Sequence, residues 1–581
     1  MNKIATTNKD ENHALTVYKA SAGSGKTFTL SKEYIKHLID NPMSYKSILA
    51  VTFTNKATEE MKMRILSKLY GIWKGLPDAK DYVDAIVKET GYSQNFLSER
   101  AGWALNNIVN NYSYFRIETI DSFFQSILRN LARELDLTAN LRVELNDIQI
   151  EQNAVDEMIE ELSMDDELLH WIMDYIKENI NDEKNWNVIG QIKKFGENIF
   201  KEFYKTNSKK LNAVVLQKDF FKDFTSLLYS KRTEAETAMS ALSKSFFDTL
   251  AERNMTIGDL KNGEKGPAGY FVKLKNKVFD ESILTTRVKN VIDHQKYEEW
   301  VKKTADDSLI SFAHDVLTPQ LIKAEATRKE LWKSYASADL TLRHINQLRL
   351  LNSIECKVRE MNAEANRFLL SDTHSLLHSL IEDSDTPFIF EKIGTLLETI
   401  MIDEFQDTST IQWKNFKILL EEIMDHSQGG NLIVGDVKQS IYRWRSGDWR
   451  LLNNIDKEFS HRQNQIKKEP LSTNYRSERH IIEFNNEFFK LAEEKESKML
   501  CDKNEYTEQL KNAYIDVKQD IPEKRGNIGY VNIQLLAATP SNANDQILEQ
   551  CEEAVRTLLD AGVRQNEIAI LVRSNSTIQT I

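Results

Sequence analysis

The chain has 581 residues, too long for one hydrophobic core, so three or four domains are expected. Its 41% hydrophobic and 28% charged residues fit a globular protein, and no apolar run approaches the roughly 18–20 residues that span a bilayer; with no signal-peptide core at the N-terminus, a cytoplasmic protein without a membrane partner is expected. A net charge of −12 excludes a protein that coats DNA by bulk charge, though not one with a local basic groove, and the scattered cysteines Cys356, Cys501 and Cys551 exclude a CxxC-type zinc site and speak against a disulfide framework.

His13–Lys19 (HALTVYK) reads as a short strand. A Gly-rich turn follows, and helical periodicity runs from Thr27 to Leu38. Ser47–Thr52 (SILAVT) is a second buried strand, and a second helix covers about Lys56–Tyr70. This alternation predicts a parallel, doubly wound α/β sheet. No proline occurs between Pro77 and Pro267, and apolar residues such as Met158, Ile159 and Leu162 recur at helical spacing. Residues 137–380 are therefore expected to form a mainly helical insertion, broken at the turn-rich Gly263–Gly269 (GEKGPAG). Within it, Glu144–Glu183 is acidic, and Lys193–Arg232 is rich in lysine and aromatics, including Phe195, Phe200, Phe203 and Tyr204. Both stretches read as solvated helix faces; for the basic one the alternative is a contact for a nucleic-acid strand or a partner. The α/β texture returns with the short buried strands Thr399–Ile402 (TIMI) and Leu432–Val434 (LIV). Gly529–Leu536 and Glu567–Arg573 are further strand candidates, with a helix over Gln546–Leu559 between them.

Two motifs carry chemistry. Ala20-Ser21-Ala22-Gly23-Ser24-Gly25-Lys26-Thr27 stands between the first strand and the first helix. Glycines let backbone N–H groups turn inward around phosphate oxygens. Lys26 would reach the β/γ-phosphates of ATP, and the Thr27 hydroxyl would hold Mg²⁺. The general loop is GxxxxGK[ST]; here Ala20 replaces its first glycine. An ordinary turn is the alternative, and the strand–turn–helix context argues against it. The second motif, Asp403-Glu404, closes the apolar run Thr399–Ile402. Paired acids at the end of a buried strand suit metal work beside such a loop, with Asp403 for Mg²⁺ and Glu404 as general base on the attacking water.

Val51–Met61 (VTFTNKATEEM), Thr119–Phe123 (TIDSF), Ile400–Ser409 (IMIDEFQDTS), Val434–Asp448 (VGDVKQSIYRWRSGD) and Leu471–Ser477 (LSTNYRS) follow in order, and then Ile568–Asn575 (IAILVRSN). Together they resemble the UvrD/Rep/PcrA group of superfamily 1 DNA helicases: motif Ia, the T-x-H-S-F motif, motifs II, III and IV, and the strand after motif IV. The ASAGSGKT and GDVKQS wording leans towards the RecB/AddA branch. The resemblance implies a RecA-like ATP-binding domain (1A) over 1–136 and 381–462, a helical insertion (1B) over 137–380, and an incomplete second RecA-like domain (2A) over 463–581. It also implies that Gln439 senses the γ-phosphate, that Arg476 stabilises charge on the transferred phosphoryl group, and that Tyr475 stacks on adenine. Phe53, Asn55, Tyr442 and Trp444 would contact single-stranded DNA, the rings by stacking; core packing is the alternative for Phe53 and Trp444. Arg443 and Arg445 would bind phosphates, or Arg445 would support the ATP site.

Three departures from the family pattern stand out. Residues 1–26 contain no glutamine to read adenine, Asp121 replaces the usual histidine, and the sequence given ends at Ile581 before motifs V and VI. The expected function is an ATP-dependent 3′–5′ DNA helicase and translocase in repair or recombination. It would use ATP and Mg²⁺, act on single-stranded DNA or a tailed duplex, associate with the nucleoid, and pair with a recombination subunit. The alternative is a truncated nucleotide- and DNA-binding module without productive turnover.

Overall fold

Six strands form the central sheet of the computed structural model: β1 (Leu15–Ala20), β2 (Ile48–Thr52), β3 (Ile117–Thr119), β6 (Thr399–Ile402), β7 (Asn431–Gly435) and β8 (Ile466–Leu471). A separate short pair, β4 (Arg142–Glu144) and β5 (Arg367–Leu369), lies within the insertion. The structure describes residues 13–131, 142–144, 146–163, 168–170, 172–173, 176–177, 188–217, 219–365, 367–369, 372–373, 377, 397–426, 429–500, 505–537 and 543–579.

The sheet order is β3-β2-β6-β7-β1-β8, and every pairing in it is parallel. Parallel strands are covered on both faces, which is why β2, β6 and β7 are buried at every residue and mostly apolar rather than alternating. Successive side chains still point to opposite faces. Leu49, Val51, Ile400, Ile402 and Ile433 join one core with Phe123, Trp413 and Phe416. Their neighbours Ile48, Ala50, Met401, Leu432 and Val434 join the other, against α1 (Lys26–Asp40) and α2 (Asn55–Lys74). The buried Asn431 side chain ties the strand starts together, donating to Ala14 O at 2.9 Å and accepting from Ile400 N at 2.8 Å.

The doubly wound α/β fold is as the sequence predicts, and the four early strand and helix positions agree within a few residues. β8 is the exception. It pairs with β1 along six residues, so the first sheet extends past the expected boundary at 462. Its sequence, IKKEPL, has two apolar residues and a proline, which suits an edge strand and hides it from pattern reading.

The insertion is mainly helical, as expected, and it builds two cores. One gathers Met239, Phe246, Phe271, Trp300 and Leu321. The other gathers Ile150, Val155, Ile192, Leu350 and Ile354. The 47-residue helix Thr318–Glu364 contributes to both. Turn composition at Gly263–Gly269 does mark a break: a 3₁₀ turn over Gly263–Lys265, then a new helix from Gly269. A Cβ on Gly269 would lie 1.9 Å from Glu264 O, so only glycine fits. The second core encloses the carboxylate of Glu151, which is fully buried and has no hydrogen-bond partner on either oxygen among the described residues. Of the aromatics in the basic stretch, Phe195, Phe200 and Tyr204 pack on this core, while Phe203 is 82% exposed. The acidic Glu144–Glu183 falls partly outside the described residues.

Past β8 the helices Arg479–Met499, Glu505–Tyr514 and Ala543–Asp560 form. The strands expected at Gly529–Leu536 and Glu567–Arg573 do not: neither is hydrogen-bonded into a sheet, and Tyr530, Leu535 and Leu571 face solvent. Alternating apolar residues favour a strand only where a neighbouring strand satisfies its backbone, and the described residues supply none. None of the described helices is long and apolar enough to cross a membrane.

Candidate nucleotide site and ring cluster

The loop from Ala20 to Thr27 leaves β1 and enters α1. Gly23 and Gly25 have φ of +73° and +85°, the left-handed region that glycine enters without strain. Ser24 closes the turn, its N–H donating to Ser21 O and its hydroxyl accepting from Ser21 N, both at 3.2 Å. Thr27 sits on the first turn of α1 beside Lys26.

Lys26 Nζ donates to Glu404 Oε2 at 2.7 Å and to Gln439 Oε1 at 3.3 Å. Those contacts open a closed ring. Gln406 Nε2 donates to the same Glu404 oxygen at 2.7 Å, and Gln406 Oε1 accepts from Asp436 N at 2.9 Å. Asp436 Oδ2 then accepts from Gln439 Nε2 at 2.6 Å, which returns to Lys26. Glu404 reaches the ring because its backbone turns sharply after β6, with a φ of +49° that is rare for a residue other than glycine. Such conformations cost on the order of 1–3 kcal/mol and persist where the surroundings fix them.

Asp403 is buried at the end of β6 and accepts from Glu404 N at 2.9 Å. Burial pushes its carboxyl up to about 6, and the neighbouring Glu404 charge adds to this. Asp407 is raised to about 6 for the same two reasons, in the same order. A buried carboxylate with too little positive charge around it is the donor set a divalent cation completes. Asp403 is thus a carboxylate whose charge an Mg²⁺ would neutralise, and phosphate oxygens fit the glycine turn beside Lys26.

Arg476 and Tyr475 meet the loop at Gly23. Tyr475 N donates to Gly23 O at 2.9 Å, and a Cβ on Gly23 would lie 2.5 Å from Asn474 Oδ1 and 3.0 Å from Arg476 Cβ. The side chains of both Tyr475 and Arg476 are exposed.

A cluster of rings lies on the segments that follow β2 and β7. Phe53 and Tyr442 pack at 4.5 Å between centroids, and Tyr442 lies 6.0 Å from Trp444. Trp444 is 73% exposed. The Arg445 guanidinium lies 5.1 Å from the Trp444 ring and 5.8 Å from that of Phe53, so it belongs with the rings. Ser409 bridges to Gly447, and Asp448 N donates to Thr408 O at 3.0 Å, joining the ring-bearing loop to the segment that carries Glu404. Asn55 is exposed at the start of α2.

The family model for the UvrD/REP helicase N-terminal domain matches residues 2–460. The chain belongs to the UvrD/REP helicase family. It is 25% identical over 603 residues to an exonuclease/helicase subunit, RexA, of Lactococcus lactis, covering 96% of this chain and 46% of that protein. It is 24% identical over 484 residues to a RecBCD enzyme subunit RecB of Chlamydia pneumoniae, covering 81% and 41%. A RecB subunit of Borreliella burgdorferi is 25% identical over 614 residues, covering 100% and 47%. The chain thus spans less than half the length of these relatives, and the lean towards the RecB/AddA branch agrees with them.

Within this UvrD-type frame, the structure brings Lys26, Glu404 and Gln439 together in one ring and sets Arg476 beside Gly23. It also shows residues that the sequence reading passed over. Gln406 and Asp436 complete the ring, and both lie inside matched motifs, two residues after Glu404 and three before Gln439. Asp121, in place of the usual histidine, accepts from Gln412 Nε2 at 3.1 Å, and Gln412 Oε1 accepts from Ser409 N at 3.0 Å. The substituted residue thereby braces the acidic loop. Ile411 N donates to Glu202 Oε1 at 2.9 Å, which ties the insertion to the same place.

Proposed function

We propose that this chain is the ATP-hydrolysing, strand-gripping part of a DNA helicase that moves 3′ to 5′ on single-stranded DNA during repair or recombination. The closed ring through Lys26, Glu404, Gln406, Asp436 and Gln439 supports this best. It holds the ammonium against the very carboxylate that hydrolysis needs free. Lys26 would exchange Glu404 for the β/γ-phosphate oxygens of ATP, and Glu404 would then take a proton from the attacking water. Mg²⁺ held by Asp403 and Thr27 would neutralise phosphate charge. Gln439, released from Lys26, would pass the change through Asp436 and Gln406 to the loop that carries Tyr442 and Trp444. Arg476 would act from beside Gly23 of the phosphate loop, and Tyr475 would face the adenine. The relatives named as exonuclease/helicase and RecBCD subunits motivate two further elements: DNA as the substrate and a second protein as partner. The 3′–5′ polarity rests on the family resemblance.

Three measurements test the reading. Mg²⁺–ATP turnover should rise when a single-stranded oligonucleotide is added; turnover indifferent to DNA would refute the coupling, and nucleotide binding without turnover would favour the inactive module. Lys26→Ala should weaken affinity for a non-hydrolysable ATP analogue by about 10- to 100-fold, the worth of hydrogen bonds to a charged group. Unchanged affinity in equilibrium titration would remove Lys26 from the site. Trp444→Ala should weaken single-strand binding by about 1–3 kcal/mol while sparing nucleotide affinity. Fluorescence anisotropy with a labelled oligonucleotide reads this, and an unaltered binding curve would assign Trp444 no stacking role.

A further inference from the structure

Gln519 lies outside every motif discussed above, yet its side chain sits between the phosphate loop and the turn that carries Arg476. Its Nε2 donates to Ala22 O at 2.6 Å, and its Oε1 accepts from Asn474 Nδ2 at 2.9 Å. The residue is itself held at both main-chain groups by one side chain: Asn486 Oδ1 accepts from Gln519 N, and Asn486 Nδ2 donates to Gln519 O, each at 2.9 Å. Asn474, buried, spends its remaining oxygen on the turn, accepting from Arg476 N at 2.9 Å and Ser477 N at 3.0 Å. Its own N–H donates to Asp520 O at 2.9 Å. Two side-chain amides in series thus link a carbonyl of the phosphate loop to the backbone of the arginine.

The direction of the link matters. Ala22 offers Gln519 its carbonyl, so the contact uses the outer side of the loop and leaves the N–H groups to phosphate. Both amides are used in the one orientation that satisfies donors and acceptors, since a flipped Gln519 would place its oxygen against Ala22 O and its NH₂ against Asn474 NH₂. The contact is also tight, because Asn474 Oδ1 occupies the space that a Cβ on Gly23 would need.

We infer that Gln519 is a positioning residue that fixes Arg476 relative to the phosphate loop, so that the guanidinium meets charge developing on the transferred phosphoryl group rather than charge in the ground state. The inference rests on the role proposed for Arg476. Gln519 touches no nucleotide; it acts through Asn474 and Ala22.

The test compares affinity for ADP–aluminium fluoride, a mimic of the transferring state, with affinity for ADP, both with Mg²⁺ and a single-stranded oligonucleotide. Gln519→Met keeps the volume and removes both bonds. Gln519→Glu keeps the acceptor for Asn474 and sets a carboxylate against Ala22 O, so it spares the buried Asn474. In both variants the ratio of the two affinities should fall about ten-fold, the reach of one well-aimed hydrogen bond. A merely structural loss would weaken both ligands together and leave the ratio intact. Arg476→Ala should also lower the ratio, and adding Gln519→Met to it should lower it no further, because the two act as a unit. A wild-type ratio in both Gln519 variants, or a further drop in the double variant, overturns the inference. A wild-type ratio in Arg476→Ala alone overturns the role of the arginine and the inference with it.

Discussion

Arg476→Ala should lower DNA-stimulated ATP turnover by about 10³- to 10⁵-fold, the range for removing an arginine that meets the transferring phosphoryl group. The expectation follows from where the residue stands. Its backbone is held by Asn474, its Cβ lies against Gly23, and its exposed guanidinium has no carboxylate partner among the described ion pairs. Nucleotide affinity should change far less, because an interaction made only in the transition state lowers kcat and kcat/KM together. Arg476→Lys should restore little, since a compact ammonium does not reproduce the planar fork of donors. Phosphate release at saturating ATP and oligonucleotide measures this. Turnover within about ten-fold of the wild type would show that Arg476 is not the finger.

The second large effect concerns stability. Burial raises the Glu151 carboxyl to about 8 from its ordinary 4.5, and the nearby Glu197 and Asp156 charges add to this while Lys193 opposes it. Gly196 packs so closely that a Cβ there would lie 2.0 Å from Glu151 Oε1. The folded state therefore favours the protonated acid, whereas the unfolded chain ionises near 4.5. Below pH 4.5 the group imposes no ionisation penalty. As pH rises towards 8 the penalty grows, and above that it is on the order of 5 kcal/mol. Glu151→Gln removes the titration. The variant should be more stable than the wild type at pH 8 by on the order of 4 kcal/mol, and the two should converge below pH 4.5. Denaturant midpoints followed by circular dichroism across that range decide it; curves that stay parallel would rule out a buried acid.

Most of the sheet was legible because parallel strands must be apolar on both faces, and TIMI, LIV and SILAVT announce that without help. β8 was not, since an edge strand needs only one good face and can carry Lys467, Lys468 and Pro470. Lys26, Glu404 and Gln439 were named from motifs, and their meeting in space follows from three adjacent strand ends. Gln406 and Asp436 stood in plain view within those motifs, but only geometry reveals that one bonds to Glu404 and the other to Gln439. Gln519 had no signal: a glutamine followed by aspartate has no pattern, and its role depends on a fold that brings residues 22, 474 and 519 together. The strands at Gly529–Leu536 and Glu567–Arg573 failed for the converse reason, because local alternation is a statement about one strand and a sheet is a statement about two.

The helix Thr318–Glu364 carries a mechanical consequence. At 1.5 Å per residue its 47 residues span about 70 Å without interruption. Leu321 and Ala324 anchor one end in the first core of the insertion; Leu350, Ile354 and Val358 anchor the other end in the second. A straight rod of that length, turned by about 5° at one end, carries its far end through about 6 Å. That is close to two stacked-base steps of about 3.4 Å each. One continuous helix thereby joins the two cores of the insertion, so a small tilt imposed at one of them would reach the other as a larger displacement.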